Sequence, residues 1–215
     1  MARRAAGWAL ERELAKRGFR RVAGVDEVGR GCLAGPVVAG AVILDPARPI
    51  PGVRDSKMVP PDERARLARR IASEAVAMAI GVVDAGEIDR TDILRATLVA
   101  MRRAVEGLHI SPEHVLVDAL EIPGIARPQT AVIRGDRESA SIAAASIVAK
   151  FYRDEMMSAF HRLYPAYAFD VNRGYGTPAH LDALRRFGAT PLHRVTFHGV
   201  RDDRSLFPAA GAGGG

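Results

Sequence analysis

The chain is short of several residue types, and each shortage removes a class of function. Cys32 is the single cysteine among 215 residues. An internal disulfide and a cysteine-pair zinc site are therefore excluded, and the usage fits a reducing cytosol. No run of about 20 apolar residues exists, so no membrane-spanning helix is expected. The basic N-terminus is followed by Glu11 and Glu13 rather than an apolar core. That pattern is not a targeting peptide, and a cytoplasmic location is expected. Lysine is nearly missing: Lys16, Lys57 and Lys150 are the only three among 31 basic residues. So strong an arginine bias reflects base composition, and arginine count alone is poor evidence for phosphate recognition. A Walker-type loop would need a Gly-Lys-Ser/Thr ending, and a serine nucleophile elbow would need its own glycine pattern. Neither occurs. His193 and His198 form no zinc pattern with a cysteine pair and read as surface or loop residues.

What remains is a globular composition, 48% apolar and 26% charged, with a net charge of +6. The excess favours anionic partners such as nucleic acid, although a merely solvated basic surface gives the same total. Hydrophobic periodicity and breakers predict helices over 7–17, 60–74, 92–108, 139–163 and 178–187, with Asp92 as a helix cap. Strands are expected over 21–28, 36–44, 75–83, 115–120 and 130–136. Residues 164–178 read as loop, and the closing AAGAGGG as a disordered tail. Three strands precede the first long helix, and strands then alternate with helices. This order predicts an α/β fold, a mixed sheet with an antiparallel first part and a parallel second part, flanked by helices.

The stretch GVDEVGRGCLAGPVVAGAVIL, residues 24–44, carries the most chemistry. Its glycines nearly match a dinucleotide fingerprint, but the spacing is off by one. Pro36 and the β-branched run after it also predict a strand where the fingerprint requires a helix. Asp26 and Glu27 stand side by side in apolar surroundings, where buried carboxylates are costly. Asp118 and Asp136 likewise close apolar segments. Each alone could be a turn or capping residue. Together, at the ends of strands about 5 Å apart, they could converge, and clustered carboxylates need a hard cation such as Mg²⁺ or Mn²⁺. Successive strand side chains point to opposite faces. Both acids of the pair reach one site only if the pleating breaks there or the pair lies at the sheet margin. Ser139, Ser146, Lys150 and Arg153 share a helix face. Ser146 as a buried serine and Lys150 as a solvated lysine remain equally open, as does Lys57 as a plain loop residue.

Six segments together resemble type 2 ribonuclease H, the bacterial ribonuclease HII family: residues 24–44, RDSK (54–57), ATLVAMRRAV (96–105), VLVDAL (115–120), RGDRESASIAAASIVAKFYRDEMM (134–157) and NRGYGTPAHLDAL (172–184). They cover most of the chain from about residue 20 to 198. The resemblance implies an RNase H-like fold with a C-terminal helical extension. It implies hydrolysis of the RNA strand of RNA/DNA hybrids, and nicking 5′ of a single ribonucleotide in duplex DNA, leaving 5′-phosphate and 3′-hydroxyl. By the family's motif, Asp26, Glu27, Asp118 and Asp136 are the catalytic, metal-binding carboxylates, holding two Mg²⁺ or Mn²⁺ ions with substrate bound. Gly29, Arg30 and Gly31 would read the 2′-hydroxyl and its phosphate. Tyr175 would stack on the following nucleotide, and Lys57, Ser146 and Lys150 would contact substrate. Three positions depart from the pattern: Arg134 stands where lysine is common, Asp92 where asparagine is usual, and Thr196 where serine is usual.

The expected organisation is an N-terminal helix and lead-in over 1–20, a catalytic domain over 21–163, a helical and loop module over 164–207 and a tail over 208–215. The expected partners are RNA/DNA hybrid and ribonucleotide-containing duplex DNA, with no membrane, no obligate protein partner and a monomeric state. Other function classes compatible with the residues are a DNA-cleaving nuclease of the same fold and a non-catalytic hybrid-binding protein.

Overall fold

A computed structural model describes residues 6–201. Helix α1 (Ala9–Lys16) leads into strand β1 (Val22–Val28), which turns through a glycine loop into β2 (Val37–Ile43). Then come α2 (Pro61–Glu74), β3 (Ala77–Val83), α3 (Ala85–Arg90), α4 (Ile93–Glu106), β4 (His114–Asp118) and β5 (Gln129–Val132). The chain ends with α5 (Gly135–Glu138), α6 (Ala140–Leu163), α7 (Phe169–Asn172) and α8 (Pro178–Phe187). The strands form one five-stranded sheet in the order β3-β2-β1-β4-β5. β1, β2 and β3 pair antiparallel, whereas β4 lies parallel to β1 and β5 parallel to β4. The mixed sheet expected from element order is the one observed. Among the described residues no helix is long and apolar enough to cross a membrane.

Helices cover both faces. α4 packs Ala96, Ala100, Met101 and Ala104 against Val25, Ala39, Ala41 and Val117. On the other face α6 lays Ala143, Ala144, Ala145 and Val148 against Val42 and the residues of α2. Fully burying an aliphatic side chain contributes about 1.5–3 kcal/mol. The small residues act differently, by letting backbones meet. A Cβ on Gly24 would lie 2.1 Å from the Ser141 carbonyl carbon, and one on Gly40 would lie 2.6 Å from the Ala145 oxygen. Alanine at either strand glycine would therefore push α6 off the sheet. The start of α6 is fixed by Ser139, whose hydroxyl caps Ile142 N–H and donates to Glu11 Oε1 at 2.6 Å. Glu11 also accepts Ser141 N–H, so α1 is tied to the helix N-terminus, where an acid is favoured.

Several expectations shift in detail. The segment 164–178 is not all loop, because it holds a 3₁₀ turn over Pro165–Tyr167 and the short α7. α3 is an additional helix, capped by Asp84. Asp92 caps α4 as expected, accepting Arg95 N–H at 2.8 Å. The glycine-rich tail falls outside the described residues.

Candidate active site

β1 runs unbroken through Asp26 and Glu27, in regular register with β2 as far as Val28. Its pairing with β4, however, ends at Val25 opposite Val117. The acidic pair therefore sits at the margin of the parallel half of the sheet, the second of the two arrangements the sequence allowed. One step further in that register, Asp26 stands level with Asp118, the last residue of β4. Gly24, Asp26, Leu116 and Asp118 alternate onto the face that α6 covers. Asp136 follows on α5, just beyond the end of β5. Three parallel strands thus deliver three aspartates to one end of the sheet.

Two turns after these strands use left-handed backbone without glycine. Ala119 follows Asp118 at φ 56°, and Arg134 precedes Gly135 at φ 56°. Such residues cost about 1–2 kcal/mol each, and the surroundings must impose them. Here the bends let Gly135 N–H donate to Asp118 Oδ1 at 2.7 Å.

The electrostatics tie the four acids together. Asp26 is 7% exposed, and burial pushes its carboxyl well above the usual range, with Glu27 and Asp118 adding repulsion. Glu27 is also raised, first by burial and further by Asp118, although Arg30 opposes the shift. Asp136 is raised by burial and by Asp55 and Asp118. Asp118 is thus the common neighbour of the other three. Glu27 N–H restrains Asp26 with a hydrogen bond at 2.8 Å, and the nearby Ser146 hydroxyl partly offsets the rise of its carboxyl.

These residues fit a hard divalent cation in kind, being oxygen donors whose charges repel until neutralised. As they stand, among the described residues no group of three His, Cys, Asp or Glu side chains is gathered tightly enough to hold an ion. Glu27 is engaged by Arg30 Nη1 at 3.3 Å, and Asp118 by Gly135 N–H. Ligation by Glu27 would compete with Arg30, whereas a carboxylate that accepts Gly135 N–H at Oδ1, as Asp118 does, can still ligate through its other oxygen.

The other expected residues fall into two groups. Lys57 is exposed, and its charge acts on Asp136. Gly31 is exposed with open space around it, since a Cβ there would meet nothing within 4 Å. Tyr175 is 46% exposed and Arg30 is exposed, so both face solvent. Ser146, by contrast, is buried, with its hydroxyl 2.9 Å from that of Ser56. Lys150 donates to Asp154 at 2.6 Å, and Asp154 also takes Arg64 at 2.9 Å. Gly29 is buried at φ 95°, and a Cβ there would lie 2.2 Å from Arg153 Nε. A valine at Gly29 would strain the fold itself, whereas one at Gly31 would not.

Sequence reasoning missed several residues that build this site. Asp55 caps the 3₁₀ turn Ser56–Met58 by accepting Lys57 N–H at 3.0 Å, and its charge raises Asp136. Ser56 reaches Ser146. The RDSK segment contained both, but a three-residue turn leaves no periodicity to read. Arg153, placed by its spacing on the face of Ser146 and Lys150 but given no role there, is fully buried and donates to the carbonyls of Pro36, Arg173 and Ala34. Arg194, also fully buried, donates to those of Gly29, Arg30 and Gly35. Burial lowers its guanidinium to about 10. His193, expected at the surface, is 2% exposed and bonded to His180. It is buried because the C-terminal loop folds back onto Ala34 in a short antiparallel bridge.

Comparison with known proteins agrees with this architecture. The sequence model described as Ribonuclease HII matches residues 23–200. Ribonuclease HII of Pediococcus pentosaceus is 50% identical over 195 residues, covering 91% of this chain and 76% of that protein. Ribonuclease HII of Moorella thermoacetica is 52% identical over 190 residues, covering 88% and 92%. The crystal structure of ribonuclease H2 from Pyrococcus horikoshii OT3 superposes with a TM-score of 0.72 at 25% identity, covering 84% of this chain and 95% of that one. With the family match spanning nearly all of the described residues, the chain belongs to the ribonuclease HII family.

Proposed function

We infer that the protein is an endoribonuclease of the ribonuclease H type, hydrolysing the RNA strand of RNA/DNA hybrids, as its family membership indicates. In its finer form the reading includes nicking 5′ of a single ribonucleotide in duplex DNA, leaving 5′-phosphate and 3′-hydroxyl. The observation that carries the site is the placement of Asp26, Glu27, Asp118 and Asp136 at the same end of three adjacent parallel strands.

Divalent cations, Mg²⁺ or Mn²⁺, would be held by Asp26, Glu27, Asp118 and Asp136, and when bound supply charge stabilisation and an acidified water. The chain's own residues do the rest. Glu27 N–H holds the Asp26 carboxylate, and the Ser146 hydroxyl beside it favours the charged form. Lys57 places a cation beside Asp136, where a substrate phosphate would approach. The bare backbone around Gly31 lets a ribose come close, and amides and carbonyls can read a 2′-hydroxyl that both donates and accepts. Tyr175 offers an exposed ring for stacking next to that loop. Arg30 neutralises Glu27 until substrate or cation competes for it. Ser146 supports the site through Asp26, and Lys150 would contact phosphate only on leaving Asp154.

The test is a nicking assay on three duplexes: an RNA/DNA hybrid, a DNA duplex with one ribonucleotide and an all-DNA duplex, each with chelator, Mg²⁺ or Mn²⁺. Metal-dependent cleavage of the first two, with the all-DNA duplex intact, is expected. Comparable cleavage of the all-DNA duplex would instead make this a DNA nuclease of the same fold.

A further inference from the structure

Behind Tyr175 lies a hydrogen-bonded chain that the proposed chemistry does not use. His180 Nδ1 is 2.8 Å from the Tyr175 carbonyl oxygen, His180 Nε2 is 3.0 Å from His193 Nε2, and Thr190 N–H donates to His193 Nδ1 at 2.9 Å. Both rings are buried, at 0% and 2% exposure. The protons in this chain can be placed by elimination. A carbonyl only accepts, so His180 Nδ1 carries a proton. A backbone amide only donates, so His193 Nδ1 is bare. The hydrogen between the rings must then sit on His193 Nε2, and His180 Nε2 accepts it. Both histidines are neutral, in opposite tautomers. The surroundings favour neutrality: Tyr167 and Phe169 pack around both rings, and burial lowers His193 to about 4.

The far end of this chain meets the glycine loop. Gly174 O accepts Leu33 N–H at 2.8 Å, and His193 bridges Ala34. The Tyr175 backbone is therefore clamped between the loop carrying Gly29–Gly31 and the histidine pair. We propose that His180 and His193 are positioning residues for Tyr175, a pair of neutral imidazoles of opposed tautomer that fixes where its ring stands against the nucleotide. This rests on the reading of Tyr175 as a substrate contact.

The test has two independent arms. Long-range ¹H–¹⁵N correlation spectra of the unaltered protein at pH 7 should show His180 protonated at Nδ1 and His193 at Nε2. Reversed tautomers, or a charged ring, would overturn the proposal without any variant being made. The second arm is a double-mutant cycle on a duplex with one ribonucleotide. His180→Leu should raise KM by about fivefold to tenfold with kcat little changed, and the increase should vanish in a Tyr175→Ala background. His180→Asn keeps a donor near the Nδ1 position and should recover most of the KM. If Tyr175→Ala matters and the His180→Leu effect persists undiminished beside it, the positioning proposal fails. If Tyr175→Ala alone changes neither KM nor kcat, the reading of Tyr175 fails instead, while the spectra still decide the tautomers.

Discussion

At the tips of β1, β4 and β5, like charges are held close together, and the backbone bends sharply through Ala119 and Arg134. Around the loop from Gly29 to Pro36 two buried cations, Arg153 and Arg194, also repel each other, but each is bonded to backbone carbonyls. Two buried guanidiniums, together with backbone bonds to Gly174, Leu192 and Arg194, take up its carbonyls and amides. The strand tips carry buried, mutually repelling carboxylates and, on the proposed reading, would gain from a bound cation. The loop has its backbone groups bonded and, on the proposed reading, would offer substrate a rigid surface. Activity that depends on the first region should therefore separate from folding, whereas the second region should couple the two.

The largest effect expected is on catalysis at the strand tips. Asp26→Asn should lower cleavage by about a thousandfold or more, since several kcal/mol of charge stabilisation is lost. Its effect on folding should have the opposite sign. A carboxyl whose folded pKa is raised destabilises the native state once pH climbs above its ordinary pKa, and asparagine removes that penalty. The melting temperature of the variant in chelator should thus equal or exceed that of the parent. A clear fall would show that Asp26 stabilises the fold, and the contrast between the regions would be lost.

Next in size is Arg194→Met, which leaves the carbonyls of Gly29, Arg30 and Gly35 without their donor. A stability loss on the order of 3–5 kcal/mol is expected in denaturant titration. Lysine should recover little of it, because one ammonium cannot reproduce the planar fork. A third comparison lies within the loop. Gly29→Val should destabilise the protein, because it collides with Arg153 at a left-handed position. Gly31→Val should melt normally yet bind hybrid about tenfold or more weakly, since its side chain enters only the space left for a ligand. Equal melting temperatures for the two variants would break the distinction.

The smallest effect at neutral pH concerns His193, whose folded value of about 4 lies below the ordinary 6.5. The unfolded chain binds more protons between those values, so this group's contribution is full above about pH 6.5 and lost as pH falls toward about 4. Denaturant midpoints across that range should flatten in His193→Gln relative to the parent.

What could be read in the sequence, and what could not, follows this same division. Asp26 and Asp118 were visible because each closes an apolar run of strand length, and Asp136 because it follows one, although the strand expected over 130–136 stops at Val132. The antiparallel and parallel halves of the sheet followed from the spacing of strands and helices, whereas the strand order did not. The parts holding the glycine loop were hidden. Arg153 and Arg194 are two arginines in an arginine-rich chain, and nothing local marks them as buried. Apart from the Arg173 carbonyl, their partners are backbone carbonyls more than a hundred residues away. His193 lacked any motif because its neighbour His180 lies in another element. α3 and α7 are too short to show a helical period.

The reach of Arg194 from the end of the fold to the loop after β1 has an evolutionary consequence. A loop whose shape depends on a distant guanidinium cannot be inherited apart from it. Chimeras that join the first 160 residues of this chain to the corresponding C-terminal part of a relative should succeed only where that relative presents the same fork to the same three oxygens.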